Sequence, residues 1–133
     1  GETVYPVADG TVVSRSANGT VVIRHTTPLV TTNGITYAEW YSEYSHVILS
    51  DAIQTGTAVT TSTALGVVAE NGTYGLSYGA NLQLALTRED PATGTDGSSA
   101  ISPYYVVFST PVDYAEFGDD FMTVKVIENE PTE

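Results

Sequence analysis

Gly72-Thr-Tyr-Gly75-Leu-Ser-Tyr78-Gly79-Ala-Asn81-Leu-Gln83-Leu-Ala85 is the stretch from which the fold of this chain is read. Its three glycines form a loop free to adopt positive φ, and the loop feeds a run, 80–87, in which leucine alternates with polar or small residues. Alternation of period two predicts a half-buried strand. Leu82, Leu84 and Leu86 then face the core, and Asn81 and Gln83 share the opposite face.

Outward from this strand the chain reads almost entirely as strand and turn. Valine, threonine and tyrosine dominate, which suits a pleated, half-buried surface and disfavours helix. Residues 11–16 and 20–25 flank Asn18-Gly19, a dipeptide that accepts positive φ and predicts a tight hairpin. Residues 26–34 read as a loop, 35–49 as one long, bent or bulged strand, and 50–63 as a polar stretch with strand around Ala58 and Val59. Strands are predicted again at 65–69 and 104–108. One or two more are expected over 112–117 and 121–127, with Gly118-Asp119-Asp120 as a turn between them, either to cover a sheet edge that would otherwise invite pairing with another chain or to form a junction to a following domain. Short strands, many turns and no helix predict an all-β sandwich or barrel. The expected division is a β domain over 1–108, extra strands packed on the same domain over 109–127, and an acidic tail or linker over 128–133.

Composition bounds the function. At 133 residues the chain forms one domain able to bury a core without staples, and it contains no cysteine, which excludes disulfides and thiolate metal sites. No run approaches the roughly 18 apolar residues of a membrane span. Sixteen acidic against four basic residues give a formal charge of −12. That field repels nucleic acid and anionic cell-wall polymers, and it favours a basic protein partner or bound cations. Its plainer meaning is solubility in an extracellular medium, and Gly1 reads as the mark of a removed leader or anchor.

The ordered motifs resemble those of the lysostaphin-like, LytM-type murein metalloendopeptidases (duplicated hybrid motif, barrel-sandwich fold). In that family the glycine loop leads into His-Leu-His; here the glycine spacing and central leucine remain, with Asn81 and Gln83 in place of the histidines. Val4 to Val13 is similar to the family's opening strand pair, Val21-Val-Ile-Arg-His25 to its next strand, and Tyr44-Ser-His46 to its Tyr-x-His. Asp96-Gly97 with Pro103-Tyr104 is similar to its closing segment. The resemblance runs from about residue 4 to 105 and implies two antiparallel sheets of different size, with the site on the larger.

It also implies what has been lost. The family's zinc is held by a His-x-x-x-Asp segment ahead of the first strand and by the second histidine of His-x-His. Gln83 stands at that last position, and a neutral amide oxygen is a poor ligand for catalytic zinc. Asn81 stands where a histidine would assist the reacting groups, and an amide does not exchange protons near neutrality. Only His46 survives, and one imidazole without metal does not activate water against an amide.

Trp40, Ser42, Tyr44 and His46 recur at even spacing and share a face if the strand is regular. That row reads either as an aromatic floor for a sugar or peptide, anchored by His46, or as core packing. His25 reads as structural. Taken with the resemblance, the expectation is a pseudo-peptidase of the bacterial envelope, secreted or at the cell surface. It would hold a protein partner or a peptidoglycan peptide in a vestigial groove, with no cofactor. The groove residues are Trp40, Tyr44, His46, Asn81, Gln83, Tyr74 and Tyr78. The alternative is an active zinc endopeptidase with ligands from His25, His46, Asp96 or a partner chain. A capsid, tail or adhesin module sharing only the topology is a third class.

Overall fold

A computed structural model describes residues 3–70, 82–91, 100–101, 112–117 and 122–126. All regular structure among them is β, in antiparallel sheets. The strands are β1 (Thr3–Val4), β2 (Gly10–Arg15), β3 (Val21–His25), β4 (Leu29–Val30), β5 (Thr36–Tyr37), β6 (Trp40–Ser45), β7 (Val47–Leu49), β8 (Ala58–Val59), β9 (Gly66–Val68), β10 (Leu82–Thr87), β11 (Ala100–Ile101), β12 (Val112–Phe117) and β13 (Met122–Val126). The large sheet runs β12-β13-β10-β6-β3-β2-β8, with β11 also on β10. The small sheet is β1-β9-β7, and β4 pairs with β5 alone.

The Asn18-Gly19 hairpin forms as its residues require. Gly19 has φ 86°, its N–H donates to the Ser16 carbonyl at 3.2 Å, and the Ser16 N–H reaches Thr20 at 2.9 Å. The strand expected over 35–49 is instead three strands. His46 breaks it with φ 72°, a left-handed conformation that costs a non-glycine residue on the order of 1–2 kcal/mol, and the chain there passes from the large sheet to the small one. The stretch 26–34, expected as loop, carries β4, because Asn33-Gly34 closes a second hairpin. Thr31 Oγ1 accepts from the Ile35 N–H at 3.1 Å and Gly34 takes φ 90°.

The expected alternation of β10 holds. Leu82, Leu84 and Leu86 are buried, while Gln83 and Ala85 are half-buried. Burying such a leucine contributes roughly 1.5–3 kcal/mol. These leucines join Val12, Val21, Ile23, Trp40 and Tyr44 from the large sheet with Val4, Val47 and Val68 from the small one in a single apolar cluster. At the C-terminal end β13 pairs with β10 (Gln83 opposite Thr123) and β12 with β13, so the added strands occupy the edge of β10 that β6 leaves open.

Candidate functional site

Register decides which side chains share a surface. Between β10 and β6, Leu84 stands opposite Tyr44 and Leu86 opposite Ser42, so the even row of β6 lies on the leucine side. Trp40, Ser42 and Tyr44 are accordingly buried in the core. Gln83 stands opposite Ser45, on the other face. Trp40 and Tyr44 therefore do not floor a groove with Gln83: the two sets lie on opposite faces of one sheet. His46, wholly buried at the crossing between sheets, is no anchor on that surface either. Asn81, Tyr74 and Tyr78, with the glycine loop and Asp96, lie outside the described residues.

His25 is also in the interior. Its ring stacks on Trp40 with centroids 4.1 Å apart, its Nδ1 lies 2.8 Å from the Asp9 carbonyl oxygen, and its Nε2 lies 2.6 Å from Ser42 Oγ. Ser42 Oγ is 2.8 Å from the Tyr44 hydroxyl, which accepts from the Val7 N–H at 2.8 Å. The Trp40 indole N–H donates to the Thr27 carbonyl at 2.8 Å. Burial pushes the His25 imidazole below its ordinary value, against the pull of the Asp9 carbonyl and carboxylate. Burial likewise pushes the Tyr44 phenol up to about 12, although its bonds from Ser42 and Val7 favour the ionised form. Both histidines of the sequence are thus spent in the core.

The opposite face of the large sheet is assembled from the other parity. Thr87, Tyr41, Arg24 and Thr11 stand side by side across β10, β6, β3 and β2; Ala85, Glu43 and Val22 form the next row, and Gln83 with Ser45 the next. Tyr41, Glu43, Ser45 and Gln83 are half-buried. Arg24 Nε lies 3.7 Å from Glu39 Oε2 at the margin. The Glu43 carboxyl is pushed up, first by burial and then by the negative Asp90. Burial, followed by Glu39 and Asp90, does the same to the Tyr41 phenol, with Arg24 opposing. An amide, a hydroxyl, a phenol and a carboxylate can accept and donate hydrogen bonds to a polar or cationic ligand.

Sequence reading missed Tyr41, Glu43 and Ser45. The signal was present: once the leucines of β10 point inward, any paired strand must send its own apolar row inward too, which leaves the odd positions of β6 beside Gln83.

Because ionisation of Glu43 is disfavoured in the folded state, its cost is fully present above the raised folded value and disappears as pH falls to the ordinary 4.5 and below. Glu43→Gln is therefore expected to stabilise the fold at neutral pH and to give no gain at pH below 4.5. Chemical denaturation at the two pH values checks this; an equal gain at both would remove the carboxylate's charge as the cause.

The zinc implied by the family resemblance does not fit the residues that are described. Gln83 offers a neutral amide, His25 and His46 are interior, and among the described residues no group of three or more His, Cys, Asp or Glu side chains could hold a metal ion. Comparison of the chain with protein-family models, with curated proteins and with solved structures finds no match.

Proposed function

We propose that this chain is a non-catalytic LytM-like domain of the bacterial cell envelope, a two-sheet sandwich whose outward face on the larger sheet holds a protein partner or a peptidoglycan fragment. The observation that carries the reading is the burial of both histidines. Peptide hydrolysis by the family's route needs imidazole at the surface, both to ligate zinc and to move protons, and the outward face offers amide, hydroxyl and carboxylate groups instead. The ordered glycine-loop, Tyr-x-His and opening-strand motifs support the family side of the reading. The formal charge of −12 and the Glu43 and Asp90 carboxylates favour a partner or peptide with basic groups over nucleic acid. No helix among the described residues is long and apolar enough to cross a membrane.

Titration of isotope-labelled protein with soluble muropeptides and with a basic peptide tests the reading. Amide shifts are expected at Tyr41, Glu43, Ser45 and Gln83; shifts confined to other surfaces, or none with either ligand, would overturn it. Zinc analysis gives an independent check. Neither the purified chain nor an Asn81→His, Gln83→His double variant is expected to hold zinc at catalytic strength. Roughly one tightly held zinc per chain in either, with peptide cleavage, would restore the peptidase reading.

A further inference from the structure

Two turns of this chain carry the same reactive pair in the same backbone. Ser16-Ala17-Asn18-Gly19-Thr20 and Thr31-Thr32-Asn33-Gly34-Ile35 each close a hairpin through a three-residue loop. The glycine N–H donates back to the first residue's carbonyl, Gly19 to Ser16 at 3.2 Å and Gly34 to Thr31 at 3.0 Å. The first residue's N–H donates across to the fifth, Ser16 to Thr20 at 2.9 Å and Thr31 to Ile35 at 2.8 Å. Each glycine takes positive φ, 86° and 90°, and neither asparagine does. In both turns the first residue's hydroxyl donates to the asparagine Oδ1.

Asparagine followed by glycine is suited to succinimide chemistry, because glycine has no Cβ to shield its amide nitrogen. That nitrogen, on losing its proton to hydroxide, attacks the asparagine Cγ. An N–C bond forms, the Cγ–Nδ2 bond breaks, and Nδ2 takes a proton from water and leaves as ammonia. Water then opens the five-membered imide at one carbonyl or the other, giving aspartate or isoaspartate. The hydrogen bond that closes each turn opposes the first step, since the attacking nitrogen is its donor. The turn must open before the ring can close, so the ease of local opening decides which asparagine reacts.

The two turns differ in what holds them. Asn18-Gly19 joins β2 to β3 inside the large sheet, where β2 also pairs with β8 and β3 with β6. Gly19 is buried, and its carbonyl accepts from the Val47 N–H of the small sheet at 3.1 Å. Asn33-Gly34 joins β4 to β5, which among the described residues pair only with each other. Such a two-stranded ribbon is marginal on its own, and only its base, Leu29 and Tyr37, packs on the core. Asn33 and Gly34 are exposed, a Cβ added at Gly34 would meet nothing within 4 Å, and the flanking Val30 and Ile35 are exposed as well.

We propose that Asn33-Gly34 is a self-modifying site, at which water converts Asn33 to aspartate and isoaspartate through a succinimide in the folded chain, while Asn18-Gly19 in the same kind of turn is held intact. Either product sets a carboxylate at the tip of a hairpin that has no charged residue from Thr26 to Ala38. Isoaspartate also lengthens the main chain by one methylene, which pushes Thr31 and Ile35 out of their closing pair. Asn71-Gly72 lies outside the described residues.

The test is peptide mapping by mass spectrometry of the intact chain held folded at mildly alkaline pH, beside a sample kept unfolded in guanidinium chloride. Unfolded, the two asparagines are expected to convert at similar rates, since each precedes glycine. Folded, Asn33 is expected to convert at least about tenfold faster than Asn18 and to yield both aspartate and isoaspartate. Gly34→Ala shields the attacking nitrogen, so it should slow Asn33 in both samples and leave Asn18 unchanged. Equal folded-state rates at the two sites, a faster Asn18, no conversion at either, or aspartate without isoaspartate at position 33 would overturn the assignment.

Discussion

Gly66→Ala is expected to lower stability by on the order of 3 kcal/mol or more, read as a fall of about 10 °C in the unfolding midpoint. Gly66 sits on the central strand of the small sheet, with Val4 on one side and Leu49 on the other. A Cβ there would lie 2.1 Å from the Ile48 carbonyl oxygen, 2.9 Å from the Ile48 carbonyl carbon and 3.0 Å from the Leu49 Cα. All three are backbone atoms, so no side-chain rotation relieves the contact; β7 must move away from β9, and Val47 and Val68 lose their packing with it. Gly34→Ala is the matching control. Gly34 has φ 90° but nothing within 4 Å of an added methyl, so only conformational strain of roughly 1–2 kcal/mol applies. Equal melting points for the two variants would show that the small sheet does not pack as described.

The second large effect is at Tyr44. Tyr44→Ala is expected to destabilise by about 3–5 kcal/mol, the range for emptying a buried aromatic site, and to leave the Val7 N–H unsatisfied as well. Tyr44→Phe keeps the ring and isolates the hydroxyl, at about 1–3 kcal/mol. Gln83→Ala, on the half-buried outward face, should stay within about 0.5 kcal/mol. Denaturation midpoints of the three variants separate a core residue from a groove residue. A Tyr44→Ala protein that kept its stability and lost only ligand binding would return Tyr44 to the surface.

The hairpin at Asn18-Gly19 and the inward leucines of β10 were legible because each rests on a local rule: φ tolerance in one case, side-chain period in the other. The placement of the β6 aromatics was not, because Trp40, Ser42 and Tyr44 have the same spacing whether they face a groove or a core. Only the pairing of Leu84 with Tyr44 distinguishes the two, and pairing is a long-range property. His46 was unreadable for a different reason. A histidine at φ 72° is held there by tertiary packing, and nothing in Tyr44-Ser-His46-Val announces a turn between sheets. The same holds for Ser42, a small polar residue in a strand until His25 and Tyr44 arrive from either side of its hydroxyl.

Among the described residues the large sheet finishes on one flank with Ala58 and Val59 alone. A strand so short offers a second copy of the chain few backbone groups to pair with, which disfavours edge-to-edge stacking along β8.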